Sequence, residues 1–244
     1  MTPEPLHDDP ALESARHRRE VRLWLEQHKV TLMTVLLGLL IPLGLFAALA
    51  EDMWGREPLR FDTPPLLWLH AHASPLLDAL MLIVTTLGGA KGMAAGLLLT
   101  FGVLAFRRRF REAAFLFMVT GGAEVMNLLL KSVFHRSRPA LWPSLSFEAD
   151  FSFPSGHAMF SAAVLGAALV LLVGSRWQRP VLIGGGLFAL LVGLSRVYLG
   201  VHYPSDVLAA WCAALVWATL VRLLWPRTLH LPQDEKLHAP AQLG

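Results

Sequence analysis

The stretch FSFPSGHAMF, residues 151–160, sets a small-residue turn and a histidine directly against an apolar run that continues to residue 174. Pro154, Ser155 and Gly156 suit the start of a helix rather than its interior. A helix that opens there leaves its first backbone N–H groups unpaired, at the end where the helix dipole favours an anion. An imidazole at such a mouth raises the question of what the run crosses and what the turn holds.

The composition answers the first part. The chain of 244 residues is 55% hydrophobic and 16% charged, with a mean hydropathy of +0.50. Soluble domains carry roughly 45–50% apolar and about 25% charged residues. The excess is gathered in blocks at 30–50, 75–90, 91–106, 112–131, 156–174, 180–200 and 205–225, several near the roughly 20 residues that a crossing requires. The fold class expected is therefore all-α, a polytopic membrane helix bundle. The net charge of +3 and pI near 9.4 do not point to nucleic acid, because the basic residues flank the apolar blocks and read as orientation signals. Cys212 is the single cysteine and has no disulfide partner within the chain.

Charge placement sets the topology. Arg107, Arg108, Arg109 and Arg111, then Arg176 and Arg179, then Arg222 and Arg227 mark cytoplasmic ends. With the N-terminus also inside, 51–74 lies outside and 107–111 inside, so an odd number of crossings must separate them. The block PLLDALMLIVTTLGGA at 75–90 is short, carries Asp78 and ends on Gly88-Gly89. It reads as an interfacial or re-entrant helix, leaving six transmembrane helices. Residues 1–29 form a cytoplasmic tail whose part 16–29, RHRREVRLWLEQHK, reads as a basic amphipathic helix on the membrane surface. Residues 30–225 form the integral-membrane domain and 226–244 a polar cytoplasmic tail. Ala48-Leu49-Ala50 resembles a signal-peptidase site, but the basic region and apolar stretch are long for a signal peptide, which favours an uncleaved span.

In this topology Arg56, Arg60, Lys91, Lys131, Arg136, Arg138 and Arg196 fall outside, and parity brings three polar segments to one face: KSVFHRSRP at 131–139, FPSGH at 153–157 and SRVYLGVHYPSD at 195–206. Lys131, Arg138 and Arg196 are cations at a membrane boundary, where a partly desolvated charge needs an anion. Arginine forks match phosphate oxygens and lysine adds a point charge. The N–H groups and hydroxyl at Ser155 and Gly156 complete an anion site. Pro204 suits the first turn of the last span, which brings Asp206 within reach of His202. A carboxylate on one ring nitrogen fixes the tautomer and frees the other as a nucleophile. His157 could protonate a leaving oxygen. These segments contain no acidic cluster suited to magnesium, so no metal and no cofactor is expected.

Lys131 to Pro139 as K-x6-R-P, Pro154 to His157 as P-S-G-H, and Ser195 to Asp206 as S-R-x5-H-x3-D together resemble the three signatures of the type 2 phosphatidic acid phosphatase (PAP2) superfamily. The resemblance implies a phosphohistidine on His202, Asp206 as its orienting partner, His157 as general acid, and Lys131, Arg138, Ser155, Gly156 and Arg196 around the phosphoryl oxygens. It implies a lipid phosphate or diphosphate substrate, with undecaprenyl diphosphate, phosphatidylglycerophosphate and phosphatidic acid the first to test. It also implies a bacterial inner membrane with the site on the periplasmic or exterior face. Soluble haloperoxidases share the motifs, but the spans disfavour them. A lipid or solute transporter using the basic pocket only for binding has little use for a histidine held by an aspartate.

Other features have plainer readings. Glu124, Asn127 and Lys131 share one helix face, where Glu124 either positions Lys131 or bonds a neighbouring helix. His70 and His72 read as solvated rather than metal-binding, because side chains two apart diverge on a helix. Trp24, Trp54, Trp68, Trp177 and Trp225 read as interfacial anchors.

Overall fold

The structure, a computed structural model, describes residues 10–53, 59–146 and 148–225, the side chains of 10–18 and 20 excepted. The tail at 226–244, Trp54 and the first nine residues lie outside the described residues. Among the described residues the regular elements are all helical: α1 Pro10–Val35, a π-helical turn Leu36–Leu40, α2 Ile41–Met53, α3 Thr63–Ala71, α4 Pro75–Gly88, α5 Ala90–Phe106, α6 Phe110–Phe134, α7 Gly156–Leu171, α8 Gln178–Tyr198 and α9 Pro204–Leu224.

The centre of the bundle is α7, packed against α6, α8 and α9. Its core positions, Ala158, Ala163 and Ala167, face a series of small residues on α9, Ala210, Ala213, Ala214 and Ala218. Side chains this small bring helix axes close without a hydrophobic drive from water, the usual means of association in lipid. A Cβ on Gly166 would stand 3.2 Å from that of Ala218. Large apolar residues on α2, α5, α6 and α8, among them Leu43, Leu98, Phe117 and Ile183, point outward and are exposed, as lipid-facing surfaces are.

The first helices depart from the expectation of a separate surface helix at 16–29. That segment lies within α1 and continues without interruption through the π turn into α2, and from Val21 to Met53 the continuous helix has 33 residues, the first nine still carrying Arg22, Glu26 and Lys29. At 1.5 Å per residue this is about 50 Å, longer than the roughly 30 Å hydrocarbon core. The π turn has a local cause. Pro42 has no N–H to give Gly38 and its ring would crowd that carbonyl, so the ladder widens and Ile41 N–H bonds to Leu36 O instead. The glycine is needed there too, since a Cβ on Gly38 would lie 2.5 Å from Thr219 Oγ1 on α9.

Helix length and composition alone account for fewer than the expected six crossings among the described residues. Val21–Met53, Phe110–Phe134, Gln178–Tyr198 and Pro204–Leu224 are long and apolar enough to cross, and α4 with α5 make a fifth if taken as one span bent by 46°. The bend falls at the expected Gly88-Gly89 break, where Gly89 is extended at φ −79°, ψ 166°. With 16 residues, α7 is shorter than the usual span, because its first turn is devoted to the site and its last gives way to turns at 172–174. α4 packs against α8. Asp78 accepts a hydrogen bond from Tyr198 Oη at 2.6 Å, and Gly88 rests on buried Val192.

A Cβ at Gly88 would fall 2.2 Å from Val192 Cγ2, whereas Gly184 has nothing within 4 Å. Overpacking of this kind costs about 1–3 kcal/mol. Gly88→Ala should therefore lower the thermal unfolding midpoint in detergent, and Gly184→Ala should not.

Candidate active site

Three helix junctions meet at one end of the bundle: the exit of α6 with the loop to α7, the start of α7, and the turn between α8 and α9. Helical parity alone predicts their meeting, and cross-links between them fix it. Ser155 N–H bonds to Asp206 O at 3.1 Å, Ser152 N–H to Arg136 O at 2.9 Å, and Asn127 Nδ2 to Pro154 O at 3.1 Å. Asn127 thus joins α6 to the turn, and a Cβ on Gly156 would come within 3.1 Å of its Oδ1. Gly156, the first residue of α7, is thus in close approach to α6.

His202 lies in the α8–α9 turn and is 1% exposed. Its Nε2 is 3.0 Å from Arg138 Nη1. A guanidinium can only donate, so Nε2 is the accepting nitrogen and the ring proton resides on Nδ1. Nδ1 faces Asp206 Oδ2 at 3.4 Å, an electrostatic contact that is long for a hydrogen bond, and has no other partner. Pro204 opens α9 and Asp206 follows in its first turn, as expected. Burial pushes the His202 imidazole down to about 3, despite the opposing pull of Asp206. The ring is therefore neutral at physiological pH, with its lone pair on Nε2.

The predicted cations are all present, and each is paired. Lys131 and Arg138 both bond to the carboxylate of Asp150, and Arg196 bonds to Glu148. Arg138 also donates from Nε to Asp150 O and from Nη1 to Val201 O, each at 2.8 Å. Burial would raise both loop carboxyls, but the charges beside them prevail. Arg196, then Arg138, holds Glu148 below the ordinary range, and Lys131 with Arg138 does the same for Asp150. The anionic partners expected for these cations are, in this structure, carboxylates that the α6–α7 loop supplies. Ser155 Oγ and Arg196 Nε are buried without a partner.

His157, in the first turn of α7, lies within electrostatic reach of Arg196, Glu148, Lys131 and Arg138. The α4–α5 break presses on it, since a Cβ on Gly89 would stand 2.6 Å from its Nε2. Glu124 is within electrostatic reach of Lys131. His70 and His72 are exposed, one stacked on Trp142 at 4.0 Å between ring centroids and the other bonded to Trp68 O. Among the described residues no group of three or more His, Cys, Asp or Glu could hold a metal ion.

Sequence reasoning missed Glu148, Asp150, Arg136, Ser152, Thr85 and Asp62. Glu148 and Asp150 had a visible signal, two acids in the loop immediately before FPSGH. Thr85 accepts from Arg196 Nη1 at 2.5 Å across α4, a contact that no local pattern announces.

With histidine-selective labelling, His202 should give the nitrogen shifts of a neutral, Nδ1-protonated ring at pH 5.5, where an ordinary imidazole of pKa about 6.5 is mostly charged. A charged ring at that pH would contradict the geometry.

The chain is similar to known proteins in sequence and in fold. The sequence profile of the PAP2 superfamily matches residues 111–229. The chain is 35% identical over 153 residues to phosphatidylglycerophosphatase B of Bacillus subtilis, covering 61% of this chain and 75% of that protein. It is 30% identical over 152 residues to an undecaprenyl-diphosphatase of the same organism, covering 60% and 74%. The fold is similar to the crystal structure of a transmembrane PAP2 type phosphatidylglycerolphosphate phosphatase from Bacillus subtilis, with a TM-score of 0.66 and 29% identity over 80% of this chain and 96% of that one. A relative of this identity over three quarters of its length, with the matched profile, makes the chain a member of the PAP2 superfamily of lipid phosphatases.

Proposed function

We propose that the protein removes the terminal phosphate from a lipid phosphate or diphosphate through a phosphohistidine on His202. The observation that carries this reading is the pair of contacts on one imidazole, Arg138 Nη1 at Nε2 and Asp206 behind Nδ1. Nε2 attacks phosphorus, forming the N–P bond as the bond to the leaving oxygen breaks, and His157 gives that oxygen its proton. Asp206 offsets the charge that develops on the ring. Water, its proton taken by His157, then displaces the imidazole and releases inorganic phosphate. Lys131, Arg138, Arg196, Ser155 and the N–H groups at Gly156 would receive the phosphoryl oxygens, taking over donors now given to Glu148 and Asp150. Catalysis would rest on positioning and charge stabilisation, without a metal.

Phosphatidylglycerophosphate and undecaprenyl diphosphate are the preferred candidates, since relatives acting on each are similar over most of their length, with phosphatidic acid next. The reading includes six crossings, with α7 as a short one, an integral domain over 30–225, both termini cytoplasmic and the site on the periplasmic or exterior side. α4 and the loop 140–153 would line the headgroup entry.

The test is phosphate release by the purified full chain over this lipid panel. His202→Ala should lose at least ~10³-fold in kcat/KM while remaining folded. EDTA should leave activity intact and orthovanadate should inhibit it. Failure of the wild type to release phosphate from any of these lipids, or a strict magnesium requirement, would overturn the proposal.

A further inference from the structure

Behind the proposed histidine–aspartate pair lies a second buried layer. Asp62, from the segment before α3, is 0% exposed. Its Oδ2 accepts from Arg136 Nη2 and Ser205 Oγ, each at 2.7 Å, and from Leu59 N–H at 3.2 Å, while Oδ1 accepts from Ser205 N–H at 3.0 Å. The Arg136 fork is divided. Nη2 serves Asp62, and Nη1 serves Asp206 Oδ1 and, at 2.8 Å, Ser205 Oγ. The guanidinium lies 4.1 Å from the centre of the Tyr203 ring. Asp206 Oδ2 is held by Ser152 Oγ and by Tyr203 N–H at 2.8 Å, and it is the oxygen that faces His202.

We infer that Asp62 and Arg136 are positioning residues for the proposed reaction, a buried carboxylate–guanidinium clamp that sets the rotation of Asp206 and through it the aim of His202. A guanidinium shared between two carboxylates cannot follow either one, because planar forks are directional. Remove the Asp62 charge and Arg136 is left with Asp206 as its sole buried carboxylate partner. Asp206 then turns toward the guanidinium and away from Nδ1. A loss of this kind falls on the attack step, because neither clamp residue belongs to the proposed phosphoryl cradle.

The inference rests on the reading of His202 and Asp206 given above, and a double-mutant cycle separates the two. Asp62→Asn keeps the shape but cannot accept the Arg136 and Ser205 bonds through its amide nitrogen. In the purified full chain, on whichever lipid phosphate supports turnover, it should lower kcat about 10- to 100-fold with KM unchanged within error, while the broken buried ion pair also lowers the thermal midpoint. In an Asp206→Asn background the same substitution should have no further effect on kcat, since it would act only through that carboxylate. Multiplicative losses in the cycle, or an unchanged kcat in the folded variant, would assign Asp62 to stability alone and overturn the clamp. If Asp62→Asn does not fold, Arg136→Lys, which keeps a charge but cannot fork, decides the matter in the same cycle. An Asp206→Asn enzyme with full activity would instead remove the underlying reading.

Discussion

A carboxylate with no exposed surface must be given hydrogen bonds and countercharge, or its burial costs several kcal/mol. Asp206 is such a group, and the means by which it is satisfied organise the end of the bundle. Its donors come from separate stretches of chain: Arg136 after α6, Ser152 before α7, and the Tyr203 backbone before α9. Its own carbonyl accepts from Ser155. No one of these segments can shift without leaving a buried charge short of a partner. The same constraint places His202, one turn earlier, between Asp206 and Arg138.

The rest of the bundle permits this concentration of charge at one membrane boundary. Alanine and glycine along α7 and α9 let the helices approach closely, so α7 can open at the site with its first turn enclosed by α6, α8 and α9. The carboxylates of Glu148 and Asp150 neutralise cations that could not otherwise remain desolvated. A phosphoryl group meeting these donors would exchange one set of charge-assisted hydrogen bonds for another. Its binding strength is then a difference between anions, rather than the full attraction of bare cations.

What was legible in the sequence follows from what is periodic or local. Apolar blocks and basic flanks show a helical membrane bundle, and parity alone brings Lys131, Arg138, Ser155, His157, Arg196 and His202 to one end. The Gly88-Gly89 break was readable because two glycines inside an apolar run have few other uses. The π turn was not, although Pro42 and Gly38 are its cause, since a proline in an apolar block signals a disturbance without its form. The continuity of 16–29 with the first span was hidden because composition changes there while helix propensity does not. Contacts that span the fold, such as Thr85 with Arg196 or Asp62 with Arg136, depend on three-dimensional meeting and leave no spacing to read.

The place of Asp62 in the chain bears on modularity. The family profile begins at residue 111, yet the partner of Arg136 comes from well before it. A fragment or chimera built on the profile's limits would carry every signature residue and still enclose a guanidinium lacking one of its two counterions. In this protein the unit that can be transplanted is longer than the unit by which it is recognised.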